Sequence, residues 1–158
     1  MPATLEEGQP APDVSVKTDK GETISLKDFP GKRVVVYFYP KDDTPGCTIE
    51  ACNFRDNIAA LEAEDAVVLG VSLDDVASHE QFRDKFELPF TLLADTDHSF
   101  SDAFGVYGKQ KFKDFEYMGV ARATFIIGKD GTIAKVWPKV DPNGHGEDVL
   151  AWLRDNKS

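Results

Sequence analysis

The apolar residues of this chain repeat with two periods. Val34-Val35-Val36-Tyr37-Phe38-Tyr39 is an unbroken β-branched and aromatic run, the pattern of a central strand buried on both faces. Pro40 closes it, because proline has no N–H to give to a ladder. The polar stretch Lys41-Asp42-Asp43-Thr44-Pro45-Gly46 then predicts a loop. From residue 47 to about 64, Ala51, Phe54, Ile58 and Leu61 recur at three- and four-residue steps and predict one helix with an apolar stripe. Residues 67–72 predict a second buried strand, 76–86 a helix with Phe82 and Phe86 four apart, 90–94 a short third strand and 99–104 a short helix. The segment 108–116 is polar and charged and reads as an exposed loop. Residues 124–127 and 132–137 flank Lys129-Asp130-Gly131, which predicts a hairpin with Gly131 in its turn. A last helix over about 147–154 packs Val149, Leu150 and Leu153, and residues 14–16 and 22–26 predict a small hairpin near the start.

Strand, helix, strand, helix, strand, hairpin and helix in that order is an α/β arrangement. A thioredoxin-like fold suits it best: a central mixed β-sheet flanked by helices, with an N-terminal β-hairpin. No repeat, low-complexity tract or linker divides the chain, and 158 residues suit a single domain over residues 1–158. The formal net charge is −10, from 18 Lys and Arg against 28 Asp and Glu. That balance argues against nucleic acid or an anionic membrane surface as a partner. No apolar run approaches the ~18 residues of a membrane-spanning helix. The start, Met1-Pro2-Ala3-Thr4-Leu5-Glu6-Glu7, has neither the basic nor the apolar region of a secretory leader. The expected location is cytoplasmic.

Two cysteines are too few for a disulfide scaffold. Cys47 falls where a buried strand, a loop and a helix meet, in the first turn of the helix. Unpaired N–H groups and the helix dipole there favour a thiolate. Cys52 follows five residues later. On a continuous helix five residues advance about 7.5 Å and turn about 500°, which separates the Cα atoms by roughly 8–9 Å. A disulfide needs them within about 7 Å. Either Cys52 is structural, packed as free cysteines often are, or the helix unwinds when Cys47 is oxidised. A metal site is disfavoured, because the C-x4-C has no second ligand pair and His79, His98 and His145 are scattered. The thioredoxin C-x-x-C is absent. His145, beside glycine and before a helix, reads as a surface residue. Trp137 and Trp152 read as packing.

The run Tyr37-Phe38-Tyr39-Pro40-Lys41-Asp42-Asp43-Thr44-Pro45-Gly46-Cys47-Thr48-Ile49-Glu50-Ala51-Cys52 resembles the active-site stretch of the peroxiredoxins, most closely the peroxiredoxin Q or bacterioferritin comigratory protein branch. The family pattern P-x-x-x-T-x-x-C falls on Pro40, Thr44 and Cys47. Phe54-Arg55-Asp56, Leu69-Gly70-Val71-Ser72, Leu88-Pro89-Phe90, Arg122-Ala123-Thr124-Phe125-Ile126-Ile127 and Lys135-Val136-Trp137 carry the likeness over nearly the whole chain.

The resemblance implies a thiol peroxidase. Cys47 would be the nucleophile that becomes a sulfenic acid, and Cys52 the resolving cysteine that closes a disulfide within the chain after the helix unwinds. The Thr44 hydroxyl would orient the peroxide. Arg122 would stabilise the thiolate and the charge that develops on oxygen. Pro40 would shape the loop and shield the sulfur. Hydroperoxides would be the substrates and thioredoxin or a similar dithiol the reductant. The protein would act as a monomer with no metal or prosthetic group, because sulfur carries the redox change. Two other functions share parts of this chemistry. A disulfide reductase would need a stable C-x-x-C pair, and a peroxide sensor would lack turnover with a reductant.

Overall fold

The buried run closes into strand β3 (Arg33–Phe38), and the rest of the molecule is built around it. The computed structural model describes residues 6–112 and 114–156. The reading of the first residues as no leader therefore falls largely on residues 1–5, outside the described part. On one side β3 pairs in parallel with β4 (Ala66–Ser72), which pairs in parallel with β5 (Thr91–Ala94). On the other side β3 pairs antiparallel with β8 (Ala123–Ile127), and β8 with β9 (Ile133–Trp137). The N-terminal hairpin of β1 (Val16–Thr18) and β2 (Thr23–Ile24) joins β5. The sheet order is β2-β1-β5-β4-β3-β8-β9, a mixed sheet as expected.

Period two along β3 sends alternate side chains to opposite faces. Val35, Tyr37 and Tyr39 belong to one buried cluster with Phe54, Leu61, Phe82, Leu92, Val149 and Leu153. These come largely from helices α1 (Pro45–Asp56), α2 (Ile58–Ala63), α3 (Val76–Phe86) and α5 (His145–Asp155). Val34, Val36 and Phe38 belong to a second cluster with Phe100 and Phe104, at and just beyond α4 (Ser99–Ala103), and with Phe125. Arg33 at the start of β3 is buried, and its guanidinium donates to the carbonyls of Leu153, Asn156 and Glu64. One cation thus serves the C-terminal ends of α5 and α2, where helix carbonyls lack partners.

Two expectations are corrected. The helix predicted over 47–64 is two helices, broken at Asn57. The Asn57 side chain donates to the Asn53 carbonyl at 2.8 Å, and its own N–H turns back to the Phe54 carbonyl at 3.1 Å. The side chain thus takes the acceptor that the next helical bond would use. The expected loop over 108–116 is a two-stranded ribbon of β6 (Tyr107–Phe112) and β7 (Phe115–Val120), in which Lys113 lies outside the described residues. Among the described residues β6 and β7 pair only with each other, and Phe115 and Met118 stay largely exposed. A ribbon that faces solvent needs no apolar stripe, so its sequence looks like a loop.

Gly70 of β4 sits between Tyr37 and Leu92 in the sheet register. A Cβ there would lie 2.8 Å from the Tyr37 ring and 2.9 Å from Leu92 Cδ2. Tyr37 is fully buried and stacked on Phe54 with centroids 4.6 Å apart, so its ring has no room to retreat. Gly70→Ala is expected to cost about 1–3 kcal/mol, the usual penalty of overpacking. Urea unfolding checks it, and an unchanged midpoint would show that the Tyr37 ring yields.

Candidate active site

The loop after β3 climbs from Pro40, half-buried, to Thr44, the N-cap of α1. Pro45 occupies the first helical position, where a missing N–H costs nothing. Gly46 and Cys47 follow, so the thiol sits in the first turn as expected. The N–H groups of that turn have no intrahelical acceptor, and the first to find one is Thr48, bonded to the Thr44 carbonyl at 2.8 Å. Cys47 Sγ is nearly sealed, with 1% of the residue exposed.

Arg122 comes from the turn between β7 and β8. Ala123 pairs with Phe38, so the preceding residue lies beside the end of β3. The Arg122 carbonyl accepts from the Val140 N–H at 3.1 Å, which steadies its backbone. Its Nη2 donates to Cys47 Sγ at 3.3 Å and its Nη1 to Glu50 Oε1 at 2.8 Å. A Cβ at Gly46 would stand 3.1 Å from Arg122 Nη2, so the glycine lets the guanidinium lie against the helix.

Glu50 was not singled out from the sequence. It is completely buried one turn beyond Cys47, and its Oε2 has no hydrogen-bond partner among the described residues. Burial pushes its carboxyl up to about 7, against the opposing charge and hydrogen bond of Arg122. The sequence signal was available: glutamate three residues after Cys47 shares its helix face.

The other expected site residues are placed as follows. Thr44 Oγ1 donates to the Lys41 carbonyl at 3.0 Å, and the Thr44 side chain makes no cap bond to the helix. Cys52 is half-buried on the same unbroken helix as Cys47, and both thiols are free. The geometry drawn from the sequence therefore applies: on this helix the two sulfurs leave on different faces.

His145 corrects an expectation. It is 2% exposed, not a surface residue. Its Nε2 lies 2.8 Å from Thr124 Oγ1, and its ring stands edge-on to Phe54 and Trp137. Burial lowers its pKa to about 4, with Arg122 acting in the same direction and Asp148 against it. The ring is therefore neutral at pH 7. His79 is not scattered from acidic partners either: Asp42, Asp74 and His79 bring ligand-type atoms within 4.8 Å of one another. Those atoms hydrogen-bond among themselves and to Tyr39, Ser72, Ser78 and Leu93.

Residues 7–136 match the AhpC/TSA family. Peroxiredoxin Bcp of Bacillus subtilis is 48% identical over 152 residues, covering 96% of this chain and 97% of that protein. Peroxiredoxin Bcp of Escherichia coli K12 is 42% identical over 152 residues, with the same coverage of each chain. Among solved structures, the bacterioferritin comigratory protein of Xanthomonas campestris, studied for its alkyl peroxide reduction activity, superposes with a TM-score of 0.89 at 32% identity, over 97% of this chain and all of that one.

The raised Glu50 carboxyl has a consequence for stability. The folded protein holds the proton up to about 7, whereas the unfolded chain releases it near 4.5. The contribution of the neutral carboxyl is therefore fully present below about 4.5 and lost as pH rises through about 7. The loss amounts to at most about 3 kcal/mol. Glu50→Gln, neutral throughout, is expected to flatten the pH dependence of the urea midpoint across that window. Parallel curves for the variant and the parent would show that Glu50 is ionised throughout.

Proposed function

The chain belongs to the AhpC/TSA family and is a thiol-dependent peroxidase like the Bcp peroxiredoxins it resembles, and we propose that Cys47 is the thiol that meets the peroxide. The observation that carries this reading is the 3.3 Å contact from Arg122 Nη2 to Cys47 Sγ at the N-terminus of α1. A fixed cation and unpaired N–H groups surround a sulfur that is otherwise excluded from water. The thiolate is the reactive form of a cysteine, and these donors face the sulfur on which the chemistry falls.

The thiolate attacks the near oxygen of a hydroperoxide. An S–O bond forms, the O–O bond breaks, and the far oxygen leaves as water or an alcohol after taking a proton. Sulfur is oxidised by two electrons to a sulfenic acid, and the peroxide is reduced by two. Arg122 faces the charge that grows on the oxygens as they separate, where a preformed donor acts most strongly. Thr44, which both donates and accepts, would exchange its bond to Lys41 for one to the peroxide. Pro40, half-buried just beyond β3, would shape the loop and supplies no competing N–H.

Cys52 then resolves the sulfenic acid. Its thiol attacks the Cys47 sulfur: an S–S bond forms, the S–O bond breaks, and the departing hydroxyl takes the Cys52 proton and leaves as water. The half-exposed position of Cys52 and the length of α1 require the first turns to unwind before the sulfurs can meet. A dithiol reductant, thioredoxin by family likeness, would return both thiols. Hydrogen peroxide and organic hydroperoxides are the proposed substrates, and the alkyl peroxide activity of the X. campestris relative supports the second. No described helix is long and apolar enough to cross a membrane. The proposal is a single-domain cytoplasmic protein that works as a monomer, an arrangement that a disulfide within one chain permits.

Treating the reduced protein with one equivalent of hydrogen peroxide should remove both thiols, lower the mass by about 2 Da and give no cross-linked dimer. Loss of one thiol with a gain of oxygen would keep the peroxidase and remove Cys52 as resolver. Arg122→Met should slow the first step by about a hundredfold or more. Stopped-flow oxidation of Cys47 in a Cys52→Ser background measures that step alone, and a change under about threefold would remove Arg122 from the transition state.

A further inference from the structure

The loop before Cys47 and the helix after Cys52 are each tied to the body of the fold by polar contacts, buried at the first and half-buried at the second. Upstream the tie is Asp42. Its Oδ1 accepts from the Tyr39 hydroxyl at 2.5 Å, and its Oδ2 accepts from the Ser78 hydroxyl at 2.9 Å and lies 2.6 Å from His79 Nδ1. The Asp42 N–H donates to Asp74 Oδ2 at 2.8 Å, and Asp74 is held in turn by the Ser72 hydroxyl at 2.6 Å. His79 is fully buried, and its Nε2 lies 2.8 Å from the Leu93 carbonyl oxygen. Both ring nitrogens thus face oxygen acceptors, an arrangement that a doubly protonated ring satisfies. Burial opposes that charge, but Asp42, the Leu93 carbonyl and Asp74 together raise His79 above its ordinary value. The active-site loop is therefore clamped to α3 and to β5 two residues before Thr44.

Downstream the tie is Asn53. Its Oδ1 accepts from the Gly146 N–H in the first turn of α5. The N-cap of α5 is Gly144, which has no side chain to cap with, so a residue of α1 does so instead. A Cβ at Gly146 would strike Asn53 Oδ1 at 2.7 Å and its carbonyl oxygen at 2.9 Å. Phe54 is fully buried between Tyr37 and His145.

Between these ties the hold is weaker. The buried side chains of residues 43–52 are Cys47, Glu50 and Ala51, none of them a large apolar group, and Ile49 is 45% exposed. Among the described residues, the polar ties from the side chains of this segment to residues outside it are the Thr44 hydroxyl on the Lys41 carbonyl, an exposed Asp43–Lys85 ion pair and Arg122. Sulfenic acid formation removes the thiolate charge that Arg122 faces.

We propose that the Asp42–His79 pair and Asn53 are positioning groups that bound the unwinding, so that residues 43–52 open as a unit while the chain on either side stays folded. The proposal rests on the reading of Cys52 as the resolving cysteine. Both cysteines lie inside the opened segment. Its fixed ends keep them close, which raises the effective concentration of one thiol at the other.

Residue-resolved hydrogen exchange tests this on the reduced protein and on the protein oxidised with one equivalent of hydrogen peroxide, with an intact mass to establish the disulfide. The N–H groups of 53–56 bond to carbonyls at 49–52 and open with them. The downstream boundary is therefore read on Gly146 and Asn57, and the upstream one on Asp42. In the disulfide form, amides 48–52 should exchange about tenfold faster or more, while Asp42, Asn57 and Gly146 keep their reduced-state rates. Asn53→Ala removes the acceptor of the Gly146 N–H and so raises Gly146 exchange in both forms, whereas Asn57 should open with the segment in the oxidised form only, and disulfide closure from the sulfenic acid should slow about tenfold. A merely structural residue would lower Asn57 protection in the reduced form to the same extent. His79→Gln should release Asp42 in the same way, and Ser78→Ala gives a milder release should His79→Gln not fold. If Asp42, Asn57 or Gly146 opens with the segment in the unaltered protein, the boundary is overturned and the disulfide stands. If the variants open Asn57 and Asp42 no further than the parent does, the positioning role is overturned. If no disulfide forms, the reading of Cys52 falls and takes the boundary with it.

Discussion

The site depends on one guanidinium reaching one sulfur. Arg122 is more than seventy residues from Cys47 in sequence, and the antiparallel pairing of β8 with β3 closes that gap. The register sets Ala123 opposite Phe38, so the residue before β8 emerges where the chain leaves β3 for α1. A slip of one residue would turn the side chains of β8 to the opposite face and carry the guanidinium away from the thiol. The glycine at position 46 removes the side chain that would otherwise separate them. Sheet register, helix start and a missing Cβ therefore act together on a single 3.3 Å contact.

Glu50 complicates that contact. It shares Arg122 with the sulfur, and it does so from a position that water does not reach. An ionised carboxylate there would draw the guanidinium charge away from Cys47 and leave one of its own oxygens unpaired. A protonated carboxyl would leave the cation to the thiolate. Burial, which holds the Glu50 proton up to about 7, favours the second arrangement over part of the ordinary pH range.

In the proposed mechanism the same helix must also open on demand. α1 presents its reactive turn only while it is folded, yet its two cysteines cannot meet until it opens. The fold separates these demands along the chain. The half that carries the cysteines buries small or polar groups, and the half beyond Asn53 begins with Phe54, fully buried among aromatic rings. The break at Asn57 divides α1 from α2, which buries Leu61 in the same core.

The sequence by itself determined the elements whose apolar period is strong. β3 and β4 came out within a residue of their observed bounds, and α3 agrees end to end. Buried strands and amphipathic helices write their burial into local spacing, whereas the run from Pro40 to Cys52 was read through its resemblance to the peroxiredoxins, which a contiguous motif can carry. Where local spacing carries no such trace, the reading went astray: at the solvent-facing ribbon of β6 and β7, and at Asn57, whose side chain captures a carbonyl. Only the tertiary structure decided that His145 is buried against Thr124, that Glu50 shares Arg122 with the thiol, and that Asp42 meets His79. Each of these depends on residues far apart in sequence being brought together by sheet pairing and helix packing, and a polar residue in isolation does not reveal whether its partner will be water or another side chain.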